Sequence, residues 1–196
     1  MDDAISDAMA LMCDAFPAEV RHRPLGWEAL REWEHRHSVV LPEPYRTFVA
    51  EIANGTHDGP PDEGGLLPLG EKPDSWAVWE ADCWMSPLPF DGTPARAPGR
   101  PFPLEEEWQW EYDYDDHTRR SSLLHHTYQH GSVLLGSDKP GDYWTLVVTG
   151  PQRGRVWWLR DGCATPYSGS PAQQPRPDFR HWVRDWHVGQ GWWRAE

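Results

Sequence analysis

A run of acidic and aromatic residues between positions 105 and 116 is the segment whose composition most strongly suggests a chemical role. Every second residue from 108 to 114 is aromatic, and the residues between them are polar or acidic. This period of two predicts a β-strand with one aromatic face and one acidic face. Aromatic side chains anchor protein interfaces, and acidic side chains attract a basic partner. The run therefore predicts a partner-binding surface formed by Glu105, Glu106, Glu107, Trp108, Trp110, Glu111, Tyr112, Asp113, Asp115 and Asp116.

Two other interpretations of this run stay open. It can be an ordinary edge strand whose acidic face is simply solvated. It also offers the carboxylates and Trp platforms of a glycosidase. However, seven acids in twelve residues make a charge patch instead of the two separately tuned carboxyl groups that such catalysis needs. If the partner binds elsewhere, the acidic loops at residues 58–65 and 138–142 are the next exposed candidates.

Four histidines between residues 117 and 130 raise the question of a metal site. On a helix, His126 and His130 would share one face and could hold a metal. No glutamate follows the first of them as in zinc proteases, and no cysteine or clustered carboxylate completes a coordination shell. We expect a solvated linker and no metal at His117, His125, His126 or His130. The chain also lacks a nucleophile elbow and a phosphate-binding glycine loop, so we predict no cofactor and no catalytic residues.

The composition indicates a folded protein whose core contains many indole rings. Leucine, isoleucine, valine and phenylalanine total only 33 of the 196 residues, but there are 14 tryptophans and 6 tyrosines. Each buried tryptophan removes roughly 150–250 Å² of surface from water, at roughly 25 cal/mol per Å². A chain of this length suggests one domain with a real core.

The sequence shows no membrane span, secretory signal or cysteine framework. No run of about 18 apolar residues is present, and the acidic N-terminus lacks the basic region of a secretory signal. Cys13, Cys83 and Cys163 are far apart and form no CxxC pair, which argues against a zinc ribbon or a set of disulfides. We therefore expect a cytoplasmic protein that does not bind membranes.

The net charge of −13 is unevenly distributed along the chain. Residues 1–116 contain 25 acids and 8 bases, whereas residues 117–196 contain 6 acids and 10 bases. Phosphate would repel the acidic part, so direct binding to nucleic acid is not expected. A protein partner with a basic surface would instead be attracted and steered.

The order of the elements predicts an α+β single domain, in which N-terminal helices and a C-terminal helix pack an antiparallel β-sheet. Residues 4–16 and 27–37 have helical periodicity, and a third helix runs from Pro44 to a stop at Asn54-Gly55. SVLLG, YWTLVV and RVWWLR predict a meander that ends at Asp161-Gly162. The last helix, DFRHWVRDWH, takes Asp178 as its N-cap. We divide the chain into an N-terminal helix and linker at 1–24 and a domain at 25–190, with an insertion at 71–130.

The apolar phase of each element predicts the core. Trp157 and Trp158 are adjacent on a strand and must point to opposite faces of the sheet. One of them therefore leaves the main core unless both faces of the sheet are covered. The residues expected to be mostly buried are Trp33, Phe48, Leu146, Val148 and Trp182.

Three segments together resemble the SUKH superfamily. LREWEHRHSVVLPEPYRTFVAEIANG, followed by GLLPLG, is similar to the family's helix ending in Leu-Pro and its Tyr-bearing helix closed by Asn-Gly. GDYWTLVVTGPQRGRVWWL resembles its central strand pair, and DFRHWVRDW resembles its final helix. The resemblance covers residues 27–70 and 131–188, while residues 71–130 diverge. The residues at matching structural positions are Leu41, Pro42, Tyr45, Phe48, Asn54, Gly55, Gly150, Pro151, Gly154 and Trp157.

This resemblance implies a non-enzymatic α+β binding fold. Bacterial members of the superfamily are largely immunity proteins that neutralise polymorphic toxins, often toxins of nucleic acid, and fungal members include a cell-wall assembly regulator. We therefore expect an immunity protein that binds a cognate toxin with a basic surface through the acidic run. A Trp-rich carbohydrate-active enzyme or lectin is one alternative function, and a cytosolic regulatory scaffold without a toxin partner is another.

Overall fold

A five-stranded antiparallel sheet forms the centre of the fold. The computed structural model describes residues 2–61, 64–74, 76, 96–109, 123, 126–160, 163–169 and 177–189. The sheet has the order β1-β5-β4-β3-β2, and every neighbouring pair is antiparallel. This confirms the predicted α+β fold with an antiparallel meander. The strands are β1 (Trp108–Gln109), β2 (Ser132–Lys139), β3 (Asp142–Val147), β4 (Val156–Arg160) and β5 (Cys163–Pro166).

The meander contains one strand more than predicted. β5 pairs with β4, so that Leu159 lies opposite Ala164 and Arg160 lies opposite Cys163. The prediction that the meander ends at residues 161–162 is therefore wrong. Because Arg160 and Cys163 face each other, the chain reverses direction between them and stays in the sheet. The short segment Cys163–Pro166 has no alternating apolar pattern that would have marked it as a strand.

The helices occur close to their predicted positions. They are α1 (Asp2–Ala15), a 3₁₀ turn (Ala18–Val20), α2 (Trp27–His37), α3 (Tyr45–Thr47), which continues as a π-helix (Phe48–Ile52), and α4 (Phe179–His187). Asp178 caps α4 as predicted, because its side chain accepts a hydrogen bond of 3.1 Å from the backbone N–H of His181. Among the described residues, none of the helices has the length and hydropathy that crossing a bilayer requires.

The sheet carries a hydrophobic core on each face. The first, here called the helical core, packs side chains of α1, α2, the π-helix and α4 against the sheet, such as Met12, Leu30, Phe48 and Trp182. The second core packs residues of the opposite sheet face against side chains that lie outside the sheet and outside α1 to α4. Its members are Trp76, Phe102, Leu104, Tyr128, Leu134, Tyr143, Val147, Trp157, Leu159 and Ala164.

Trp157 and Trp158 show how the two cores divide the strands. Trp157 is fully buried in the second core, whereas Trp158 is half-buried and packs against the helical core. On that side, the ring of Trp158 stacks on Trp144, with ring centroids 5.5 Å apart. The two indoles thus lie on opposite faces as predicted, and both faces are covered.

Four of the five predicted core residues are buried, namely Phe48, Leu146, Val148 and Trp182. The prediction for Trp33 is wrong, because this side chain is only half-buried at the margin of the helical core. Its ring packs against His37, with ring centroids 4.4 Å apart. In α2 the buried positions are Leu30 and Glu34. The division of the chain at residue 24 stays a prediction, although α1 contributes Met12 to the helical core.

Glu34 is a buried carboxylate that fixes the chain after α2. Its Oε1 accepts hydrogen bonds from the backbone N–H of Leu41 at 2.9 Å and from Nε of Arg46 at 2.8 Å. Its Oε2 accepts a second bond from Arg46 at 2.9 Å. Burial alone raises the pKa of Glu34, but these hydrogen bonds and the Arg46 charge outweigh it, so the pKa lies below its ordinary value. The ionised pair therefore stabilises the fold.

Replacing Trp157 tests the second core. Trp157→Ala should lower the free energy of unfolding by about 3–5 kcal/mol, because it leaves a large cavity. Trp157→Phe should cost clearly less, since the indole N–H of Trp157 has no hydrogen-bond partner among the described residues. Trp33→Ala, at the core margin, should also cost less. Urea unfolding of the three variants measures this order, and equal losses for Trp157→Ala and Trp33→Ala would contradict it.

Acid should remove the stability that Glu34 contributes. Because the pKa of Glu34 is lower in the folded than in the unfolded protein, its contribution is complete above the unfolded pKa of roughly 4.3. The contribution is then lost as the pH falls through the folded pKa. Urea unfolding across this range should show a larger loss for the wild type than for Glu34→Gln. Parallel pH profiles for the two proteins would disprove the role of Glu34.

Candidate protein-binding site

β1, which carries the start of the acidic run, lies at the edge of the sheet. It pairs with β5, so that Trp108 is opposite Ala164 and Gln109 is opposite Cys163. Trp108 is half-buried and packs against the second core, whereas Gln109 is exposed. The first aromatic residue of the run is therefore used largely for packing.

Three consecutive carboxylates precede this strand on the surface. Glu105, Glu106 and Glu107 are all exposed. Among the described residues, none of these three carboxylates forms a salt bridge. Only the carboxylate of Glu107 accepts a hydrogen bond there, at 3.2 Å from the hydroxyl of Thr165. These three residues are here called the acidic edge. Unpaired carboxylates this close repel one another, and they attract cations in the surrounding solvent.

The backbone of the acidic edge is anchored to the β3–β4 turn. The side-chain amide of Gln152 donates a hydrogen bond to the carbonyl oxygen of Glu105. Arg155 in turn donates to the amide oxygen of Gln152 at 2.8 Å. The position of the edge is therefore defined by a chain of polar contacts, while its three carboxylates remain accessible to a partner.

The structure assembles only part of the predicted surface. It brings Glu105, Glu106, Glu107 and Trp108 together at the sheet edge. The remaining predicted binding residues lie outside the described part of the chain. They are Trp110, Glu111, Tyr112, Asp113, Asp115 and Asp116.

The two alternative acidic loops differ from each other in exposure. Asp58 is exposed, as expected. In the loop at 138–142, Asp142 is buried and lies 3.5 Å from the ammonium of Lys139, and Asp138 accepts a 2.7 Å hydrogen bond from the indole N–H of Trp144. The expectation that this loop is an exposed acidic surface is wrong for Asp142, because that residue begins β3 and its side chain is enclosed at the hairpin.

The described histidines of the cluster form a stacked pair. The rings of His126 and His130 are 4.5 Å apart between centroids and inclined by 15°. His117 and His125 lie outside the described residues. Within the described ranges, no three side chains of histidine, cysteine, aspartate or glutamate are grouped as a metal site would require. The absence of a metal remains a prediction.

The motif residues near the helices have structural roles. Asn54 accepts a 2.8 Å hydrogen bond from the backbone N–H of Leu69 through Oδ1. Gly55 has a φ of +93°, and a Cβ there would lie 2.8 Å from the carbonyl oxygen of Leu66, so a larger residue is excluded. Besides Gly55, the buried members of this group are Leu41, Pro42, Tyr45 and Phe48.

The remaining motif residues shape the β3–β4 hairpin. Gly150 and Gly154 have φ values of +78° and +92°, which favour glycine. The N–H of Gly154 donates to the carbonyl of Val147 at 2.8 Å and closes the turn. Pro151 is exposed in that turn, and Trp157 is buried in the second core. These four residues place the turn that carries Gln152 beside the acidic edge.

Sequence reasoning missed the residues that support the edge. Thr165 and Gln152 are 58 and 47 positions away from their partners Glu107 and Glu105. Their sequence context gives no sign of these contacts, which appear only when β5 and the β3–β4 turn are placed beside the acidic edge.

No protein-family model, curated protein or solved structure was found to match this chain. The resemblance to the SUKH superfamily therefore rests on the three sequence segments that carry it.

The acidic edge should be dispensable for folding. Replacing Glu105, Glu106 and Glu107 together with glutamine should change the free energy of unfolding by less than about 1 kcal/mol, because exposed substitutions have small effects. Urea unfolding measures this. Thr165→Val is a matched single change that removes the one hydroxyl donor to Glu107. A loss of several kcal/mol in the triple variant would show that the edge has a structural role.

Proposed function

We propose that this protein is a non-enzymatic immunity protein, which acts in the cytoplasm and neutralises a cognate toxin by binding it through the acidic edge. The observation that carries this proposal is the set of three exposed carboxylates, Glu105–Glu107, which form no salt bridge among the described residues yet lie on an anchored backbone. Their mutual repulsion lowers the stability of the fold, and no salt bridge among the described residues compensates for it. A role in attracting a basic partner accounts for that cost.

The partner class follows from charge complementarity. A toxin that acts on nucleic acid needs a basic cleft to hold phosphates. Carboxylates presented in a row can occupy the positions of those phosphates and block the cleft. The net charge of −13 adds a long-range attraction to such a cleft and disfavours direct binding to nucleic acid. The resemblance to the SUKH superfamily independently supports an immunity role.

The binding surface is expected to act mainly through the rate of association. Neutralising the three carboxylates (Glu105→Gln, Glu106→Gln, Glu107→Gln) should slow association with the toxin about tenfold at low salt and weaken its salt dependence. A control variant that loses the same number of negative charges should leave the association rate and its salt dependence largely unchanged. In this control, asparagine or glutamine replaces the exposed acids Asp7, Glu19 and Glu28, which lie in α1, the 3₁₀ turn and α2. Stopped-flow or surface-binding kinetics at several salt concentrations measure both variants.

A growth assay tests the biological role. A candidate toxin domain from a neighbouring gene should stop bacterial growth when expressed alone, and co-expression of the wild type should restore growth. The edge variant should protect less well than the charge-matched control. Full protection by the edge variant, with unchanged kinetics, would place the interface elsewhere, and no protection by the wild type would refute the immunity function.

A further inference from the structure

Arg96 is a cation held in the fold without a carboxylate partner among the described residues. One terminal nitrogen of its guanidinium donates to the carbonyl oxygen of Tyr128 at 2.7 Å. The other donates to the carbonyl and hydroxyl oxygens of Ser132 at 2.8 and 3.0 Å. Its Cζ lies 5.3 Å from the ring centroid of Trp76. All these contacts are with neutral groups, so they leave the positive charge unbalanced.

The charge of Arg96 is poorly hydrated. The residue as a whole is partly exposed, but burial of its guanidinium lowers the pKa of Arg96 to about 10. Burial causes this shift, and no carboxylate in the described part of the chain opposes it. At neutral pH the group remains a cation. A buried cation without a counter-ion is costly, so this position favours any anion that can reach it.

A small cavity adjoins this cation. Its volume is about 80 Å³, which is room for about two or three waters at ~30 Å³ each. Trp33 and His37 of α2, Arg96 and Ser132 are among the residues that line it. The indole N–H of Trp33 donates to no described residue, so it is a second donor for a guest in the cavity.

The other titratable groups around the cavity do not neutralise Arg96. His37 has a lowered pKa because of burial and the nearby Arg36 charge, so it is neutral at neutral pH. Glu71 also lines the cavity but is exposed and forms no salt bridge with Arg96. The described surroundings of the cavity therefore offer one buried cation, one exposed carboxylate at the rim (Glu71) and several neutral polar groups.

We propose that this cavity binds a small inorganic anion of about the size of chloride, held by the guanidinium of Arg96 and the indole N–H of Trp33. The anion balances the charge of Arg96. It also connects α2 with the segment around residue 96 and the start of β2, which are already joined to each other by backbone hydrogen bonds of Ala97 with Gln129 and Gly131. This site lies beside α2 at the margin of the helical core and shares no residue with the acidic edge, so it goes beyond the proposed function.

Bromide is the probe for a direct test, because it resembles chloride and gives an anomalous diffraction signal. Crystals of the full chain grown in sodium bromide should show an anomalous peak in the cavity, in contact with Arg96 and Trp33. A cavity that contains only water, with no anomalous signal at about 0.5 M bromide, would overturn the proposal.

Thermal unfolding gives a test in solution. At constant ionic strength, replacement of gluconate by bromide should raise the melting temperature of the wild type along a saturating curve. Trp33→Phe keeps an aromatic ring but removes the N–H, and should need about fivefold more bromide for half-saturation. Arg96→Gln should abolish the saturable rise. Arg100→Gln, which changes an exposed arginine of the same segment, is the matched control and should behave like the wild type.

The design remains decisive if Arg96→Gln does not fold, because Trp33→Phe and the crystal still report on the cavity. Equal bromide curves for Trp33→Phe and the wild type would contradict the site. A melting temperature that responds only to ionic strength would contradict it as well. A saturable rise without bromide in the cavity would mean that the ion binds elsewhere.

Discussion

Adjacent indoles at positions 157 and 158 require that water be excluded from both faces of the central sheet. A strand directs neighbouring side chains to opposite sides, so no rotation of the strand can bury both rings in one core. The helices α1 to α4 cover one face, with Trp182 and Phe48 fully buried there. Trp76, Phe102 and Tyr128, which lie outside the sheet and outside α1 to α4, cover the other face. A small aliphatic content is thereby compensated by rings on both sides of one sheet.

This requirement also explains where the acidic edge lies. Leu104 is buried in the second core, and Trp108 packs against the same core four residues later. The chain between these two anchors has to bridge them on the outside, so Glu105, Glu106 and Glu107 point into solvent. Gln152 from the β3–β4 turn then fixes the backbone at Glu105. The exposure of the carboxylates is thus a consequence of the packing on either side of them.

Local patterns predicted most elements but not the contacts between distant segments. The N-cap at Asp178 and the helix periodicity are local signals, and the structure has these helices close to their predicted positions, with Trp33 of α2 less buried than predicted. The burial of Glu34 could not be predicted from α2 alone. A carboxylate can be buried on this helix because Arg46, twelve positions later, donates hydrogen bonds to it. β5, and the packing of Trp76 and Phe102 on the sheet, depend on contacts between distant parts of the chain. Such contacts produce no periodic pattern in the sequence. The same holds for Thr165 and Gln152, which support the acidic edge.

The two-sided sheet has a consequence for strand register. In β4 the residues from Val156 to Leu159 are all apolar, and both faces of the sheet accept large rings. A slip of β4 by one residue against β3 would still place an indole on each side, so hydrophobic burial discriminates poorly between the two alignments. The turn between β3 and β4 therefore determines the alignment. There the N–H of Gly154 donates to the carbonyl of Val147 at 2.8 Å, and the N–H of Val147 donates to the carbonyl of Arg155 at 2.9 Å. The length of this loop therefore selects which tryptophan faces which core, and a one-residue insertion there would exchange the two sides of the sheet.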